Sequence, residues 1–282
     1  MDSLYEFGMF LNNRAHWTQN FIKKSMVLGL GAMEETITDI NLFSIADKYP
    51  NNIITKKFSR REEGKKSGAD WLWIIGEPGS WIPLLIQAKI INPHTRKCFH
   101  LDYKRGEQRE RLLYYARQHG YVPLYCIYSY VPTDIRLSQL SGKIKHINAD
   151  WACSFLTPKM VRILSQKGIR DQKEILEYCI PWMEPFCLTK ASCELKGKAI
   201  SNAFTSIKDS LYRTISSKEN EGFCLPKRIQ WEDLETLQTV RDRLPLDICK
   251  WFKSNTETRF DIPVSGVSII STMPISRIEE LK

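Results

Sequence analysis

Nowhere does the sequence run to the ~18 consecutive apolar residues that a membrane-spanning helix needs, which excludes a helical membrane protein. It opens Met1-Asp2-Ser3, acidic and with no apolar leader core behind it, so no secretory signal is expected and the cytoplasm is the expected location. The eight cysteines contain no CxxC pair. Without a secretory context they read as reduced thiols, and Cys179, Cys187 and Cys193 are spaced too irregularly to suggest zinc. The five histidines form no HExxH, and neither an internal repeat nor a phosphate-binding glycine loop is present.

What is present fits a globular chain. At 282 residues, 43% hydrophobic and 26% charged, it suits one large domain or two of ordinary size. The formal charge is +9, and residues 1–150 hold 21 of the 41 Lys+Arg against 15 of the 32 Asp+Glu. A basic excess of this kind favours polyanionic partners, nucleic acid first.

The most informative stretch is Gly68-Ala-Asp70-Trp-Leu-Trp-Ile-Ile75 followed by Leu84-Leu-Ile-Gln87-Ala-Lys89-Ile-Ile91. Two β-branched and aromatic runs separated by Gly76, Pro78, Gly79 and Ser80 predict a β-hairpin. Strand alternation puts Gln87 and Lys89 on one face and Ile86, Ala88 and Ile90 on the other. An antiparallel pairing then carries Asp70 towards Gln87 and Lys89. Two readings stay open: a half-buried Asp70–Lys89 salt bridge, or a site in which these polar groups have a task, since a charge inside an apolar strand is costly unless paired or used.

Around the hairpin, residues 1–15 read as a docking segment or frayed arm. From His16 to Tyr49 the apolar residues recur at helical spacing, with Gly29 and Gly31 breaking or kinking them into two helices, Glu34 at the border of the apolar stripe on a face with Thr38 and Asn41, and Glu35 paired i, i+4 with Asp39. Ile53–Phe58 alternates as a strand. The charged segment Arg60-Arg61-Glu62-Glu63-Gly64-Lys65-Lys66 follows as a loop that could meet phosphates, or from which Glu62 or Glu63 could reach a metal. Glu107–His119 reads as a helix with Leu112, Leu113 and Ala116 inward, Gln108 at the rim, Arg105 before it and Arg109 on it, closed by Gly120. Tyr121–Tyr128 reads as a strand. The pattern gives a mixed α/β domain over residues 1–150 and a mainly helical region over 151–282, with helices near 158–167, 171–180, 197–217, 231–242 and 246–255 and a strand at Val264–Ser271. Trp151, Trp182, Trp231 and Trp251 read as core or interface aromatics, and Ser216–Gly222 as a linker.

Asp70 followed by Gln87-Ala-Lys89 resembles the PD-(D/E)XK nuclease signature in its QxK variant, similar to Mrr-type restriction enzymes. The resemblance spans roughly residues 30–130. Blocks such as Glu34-Glu35-Thr-Ile-Thr-Asp39, Pro123-Leu-Tyr-Cys126 and Cys153-Ser-Phe resemble an uncharacterised bacterial family of that fold. The chain departs from the pattern in lacking a Pro-Asp pair and in carrying Gln87 at the second acidic position. The resemblance implies a restriction-endonuclease-like sheet flanked by helices and a Mg²⁺- or Mn²⁺-dependent endonuclease acting on nucleic acid, DNA first. Asp70, Gln87 and Glu34 would hold the metal. Lys89 would sit at the attacking water and scissile phosphate, with Glu35 and Gln108 as further catalytic candidates, while Arg60, Arg61, Lys65, Lys66, Arg105 and Arg109 would bind nucleic acid. A free nuclease threatens its host, so a regulated role in restriction or antiviral defence follows by analogy, with a homo-oligomer or a regulatory protein as further partner. The alternative is a nuclease-like fold that has lost its chemistry and acts as a binding module.

Overall fold

The structure is a computed structural model that describes residues 1, 3–57, 67–137, 146–187, 241, 243–253, 264 and 266–281. A seven-stranded mixed sheet is flanked by helices on both faces. In chain order the strands are β1 (Ile53–Lys57), β2 (Trp71–Glu77), β3 (Ser80–Ile90), β4 (Val122–Tyr128), β5 (Cys153–Leu156), β6 (Ile180–Pro181) and β7 (Gly266–Ser271), and their order in the sheet is β1-β7-β2-β3-β4-β5-β6. The helices are α1 (Leu4–Val27), α2 (Glu34–Lys48), α3 (Glu107–His119), α4 (Pro158–Gln166), α5 (Gln172–Leu176), α6 (Glu184–Cys187) and α7 (Leu246–Lys253).

Central strands covered on both faces must be apolar at every position, which is why β2 and β3 read as near-continuous hydrophobic runs. Trp71, Trp73, Ile75, Leu84, Ile86 and Ala88 pack with α1, α2 and α6; Leu72, Ile74, Leu85 and Ile91 pack with α3, α4, α5 and α7. The hairpin turn is tighter than expected: Pro78 and Gly79 alone separate the strands, Gly79 at φ 89, and Pro83 lies within β3 opposite Ile74. β3 continues to α3 and returns as β4, parallel to it, with Gln87 beside Tyr125 and Lys89 beside Ile127.

Of the two readings of residues 1–15, a docking segment and not a frayed arm is found: Ser3 accepts the Glu6 amide at 3.1 Å and starts α1, whose Leu4, Phe7, Leu11 and Ala15 are buried. The division at residue 150 does not divide the sheet, because β5 and β6 extend it and β7 lies between β1 and β2, antiparallel to the first and parallel to the second. Elsewhere α3 spans the expected residues, though Tyr115 rather than Leu113 joins Leu112 and Ala116 in the core. The helix expected over 171–180 shortens to Gln172–Leu176. Trp151 and Trp182 are buried as expected. The helices expected at 197–217 and nearly all of 231–242, the linker at 216–222, Cys193, Trp231 and the Trp251 side chain lie outside the described residues.

Candidate active site

The site begins with an accounting problem in the sheet. β2 starts at Trp71 opposite Ile86, and the Asp70 amide donates to the Ile86 carbonyl at 2.8 Å. β3, however, runs on to Ile90, paired there only with β4. Main-chain groups alternate sides along a strand, so the N–H and C=O of Ala88 and Ile90 point to where β2 is missing, and each needs a partner. Side chains supply all four. Asp70 Oδ2 accepts the Ala88 amide at 2.6 Å and Glu34 Oε1 accepts the Ile90 amide at 3.0 Å. Gln87 Nε2 donates to the Ala88 carbonyl at 2.9 Å, and the Cys98 thiol lies 3.8 Å from the Ile90 carbonyl.

The same atoms bind one another. Gln87 Nε2 also donates to Asp70 Oδ2 at 2.5 Å, while Gln108 Nε2 on α3 donates to Gln87 Oε1 at 2.7 Å. Gln87 and Lys89 alternate with Ile86, Ala88 and Ile90 along β3 and so share a face with Leu85 and Ile91, the α3 face, while Asp70 stands at the bend just before β2 and reaches Gln87 through its carboxylate. Lys89 is 5% exposed and makes no hydrogen bond or ion pair among the described residues, so the Asp70–Lys89 salt bridge is not formed. Its charge is felt at Cys98: burial and then Glu34 push that thiol up to about 12, and Lys89 opposes them.

Glu34 reaches the site from the N-terminus of α2, whereas Glu35 beside it is exposed. Glu34 and Asp70 occupy amides two residues apart, one strand repeat of ~6.8 Å. Each of the two carboxylates thus spends one oxygen on a main-chain amide, Asp70 Oδ2 on Ala88 and Glu34 Oε1 on Ile90. Among the described residues no group of three or more His, Cys, Asp or Glu could hold a metal.

Arg109, expected at nucleic acid, turns inward instead: its guanidinium is buried against Gly106 and pairs with Asp102 and, at 3.0 Å, with Glu110. A phosphate contact from this arginine would have to break a buried ion pair. Arg105 is exposed, and Arg60, Arg61, Lys65 and Lys66, with Glu62 and Glu63, lie outside the described residues. Two polar residues that the sequence reading passed over complete the floor. Tyr125, beside Gln87 in the sheet, is buried, and burial followed by the Asp102 charge pushes its phenol up. Its hydroxyl, Asp102 Oδ1, Arg109 Nε and Gln108 Oε1 are enclosed without a hydrogen-bond partner among the described residues. The strand pattern showed Tyr125 only as an apolar position. Asp102 sat in a loop with no periodicity to give it a direction.

The sequence profile of a family of unknown function (DUF6615) matches residues 7–274. No curated protein and no solved structure matches the chain.

Proposed function

The chain belongs to that family of unknown function, and for it we propose a metal-dependent nuclease that hydrolyses phosphodiester bonds, of DNA first, on a restriction-endonuclease-like fold. The observation that carries the reading is Lys89. Its side chain is 5% exposed, stands on β3 two residues from Gln87, and makes no hydrogen bond or ion pair among the described residues. An ammonium not committed to an internal carboxylate is available to an anionic ligand, and a phosphodiester supplies one.

The donor set suits a hard cation, Mg²⁺ or Mn²⁺. Asp70 Oδ2 and the Ala88 carbonyl oxygen converge on one atom, Gln87 Nε2, at 2.5 and 2.9 Å. Turning that amide over would aim Oε1 at two other oxygens, an arrangement that needs a cation among them. Asp70, Gln87 and the Ala88 carbonyl would hold the metal, which when bound polarises a phosphoryl oxygen and acidifies water. Gln108 would turn over with the Gln87 side chain, so that its Oε1, which has no hydrogen-bond partner among the described residues, accepts from the Gln87 amide. Lys89 orients the attacking water and neutralises charge developing on phosphate. Glu34 keeps the end of β3 in place and adds a carboxylate next to the site. A role in restriction or antiviral defence, under the control of a partner, remains part of the reading by analogy.

One observation favours the second reading, a binding module. The Gln87 amide already satisfies Asp70 and Ala88 from within, so the site is closed by its own hydrogen bonds. Kinetics separate the two. Lys89→Ala should keep the fold and lower the cleavage rate ~10²–10³-fold, as loss of one preorganised charge at a developing anion does. Asp70→Ala should be at least as damaging, and EDTA should abolish cleavage of plasmid, single-stranded DNA and RNA alike. If wild type cleaves none of them with Mg²⁺ or Mn²⁺, alone or with native partners, yet binds them as its variants do, the binding module is the correct reading.

A further inference from the structure

Past the carboxylate-capped end of β3 lies a cavity of about 410 Å³. Glu34 and Ile90 line it, so it shares a wall with the candidate site. Its other two walls differ in kind. One is the turn between α1 and α2, where Leu30, 63% exposed, stands between Gly29 and Gly31. Gly29 takes φ 67, a Cβ on either glycine would meet open space, and the Leu30 amide donates to the Ser25 carbonyl at 2.8 Å, which sets where Leu30 stands.

The facing wall, residues 92–100, is stiff. Asn92 Oδ1 accepts the amides of His94 and Thr95 at 3.0 and 2.9 Å. The Asn92 amide donates to the Lys97 carbonyl at 3.0 Å and the Cys98 amide to the Arg170 carbonyl at 2.9 Å. From this wall Phe99 projects, 48% exposed, with Lys97 and His100 beside it. Exposed apolar side chains on two walls of one cavity, Leu30 and Phe99, with a cationic group in the same lining, mark a binding surface rather than a solvated loop.

We propose that this cavity receives one unpaired base of a nucleic-acid strand, with Leu30 and Phe99 against its faces and Lys97 at the adjoining phosphate. The proposal rests on the reading of the neighbouring site as one that handles nucleic acid. The chemistry of the walls selects the occupant. Leu30 and Phe99 suit a flat ring, the polar groups of Asn92 and Glu34 suit its edge, and the cations suit the backbone that carries it. A cavity of this volume sits at the lower end of the ~300–1,000 Å³ range of small-ligand sites, enough for one nucleotide and too narrow for a duplex. A base stacked in a closed duplex cannot enter without being flipped out. The substrate class of the adjacent site is therefore a strand with unpaired nucleotides: a single strand, a frayed end or a bulge.

The test uses the full chain in Ca²⁺ without Mg²⁺, with fluorescein-labelled single strands of DNA and of RNA and a relaxed, covalently closed circular DNA duplex, which has neither ends nor loops, as probes. Wild type should bind the single strands ~10-fold more tightly than the duplex, and an internal 2-aminopurine should change its emission on binding. Phe99→Ala and Leu30→Ser, both at exposed positions, should remove most of that ~10-fold preference and leave duplex binding unchanged. Equal binding of strand and duplex by wild type, or a preference that survives both substitutions, overturns the pocket. Cleavage in Mg²⁺, run in parallel, keeps the two proposals apart. A chain that cleaves but shows no strand preference retains the nuclease reading and loses the pocket. A Phe99-dependent preference without cleavage by wild type retains the pocket and loses the nuclease.

Discussion

A Cβ placed on Gly68 would lie 2.3 Å from the Gln108 carbonyl oxygen and 3.0 Å from the Leu112 amide, and the residue sits at φ 69. This contact brings the start of β2 under α3 and sets Asp70, two residues on, against Gln87, whose amide Gln108 holds from above. Gly68→Ala must therefore either strain the backbone or push α3 away. The expected loss is at least the ~1–3 kcal/mol of an unfavourable backbone conformation, measured by urea unfolding, together with weaker metal binding. An unchanged unfolding midpoint would show that the close approach does not matter. At this scale the sequence was legible where alternation and hairpin pairing applied: Gln87 and Lys89 share a face because strand geometry requires it, and the antiparallel pairing brings Asp70 beside them. It was not legible for Arg109. Helical spacing gives a residue its side of a helix, but an arginine long enough to fold back onto Asp102 leaves that side for a partner that no local pattern announces.

The elements around the site follow from where each strand stops. β3 outruns β2 by four residues, and the amides left over make an edge that only acceptors can satisfy, so the two carboxylates at that edge have a structural task as well as any chemical one. α1 shows the opposite case, a strong local signal passed over. Leu4, Phe7, Leu11 and Ala15 keep helical spacing, and Ser3 stands three residues before Glu6 in the manner of a capping box. The helix is fastened along its length. Phe7 packs edge-on to Phe186 at 5.3 Å, Trp182 Nε1 donates to the Leu11 carbonyl at 2.9 Å, and the Gln19 amide exchanges bonds of 2.7 and 2.8 Å with the main chain of Val131. Phe7→Ala is expected to cost ~3–5 kcal/mol, the range for emptying a buried aromatic site, read as a lowered midpoint of chemical unfolding. A loss below ~1 kcal/mol would mean that α1 packs loosely. β7 was legible as a strand, but its place between β1 and β2 was not, since a long-range pairing leaves no trace in the local sequence.

At the scale of the whole molecule, α1 and the segments on either side of β5 and β6 meet in a cluster of titratable groups. His16 Nε2 lies 2.7 Å from Asp150 Oδ1, and His146 lies 3.4 Å from Asp150 Oδ2 and 3.2 Å from Glu184 Oε2. Neither histidine stood out in the sequence, because residues 16, 146, 150 and 184 meet only once the sheet is assembled. Burial disfavours a charged imidazole at His146, but the two flanking carboxylates outweigh it and push its pKa up to about 9 from 6.5. Burial likewise opposes ionisation of Asp150, and there His146, His16 and the Ile147 amide prevail and hold it below its ordinary 3.8. The signs differ. A raised histidine contributes stability that is complete below about pH 6.5 and lost as the pH climbs through about 9; a lowered aspartate contributes stability present above about pH 3.8 and lost in acid. The cluster should therefore hold the protein together best from weakly acidic pH to about 6.5 and release it on the alkaline side, with a change on the order of a few kcal/mol. His146→Gln tests this. It removes one member of a buried ion pair, so it should cost ~3–5 kcal/mol near pH 6 and much less near pH 10, where wild type has already lost the interaction. Urea unfolding of both proteins at the two pH values reads the difference, and equal alkaline losses in wild type and variant would mean that another group sets the pH response.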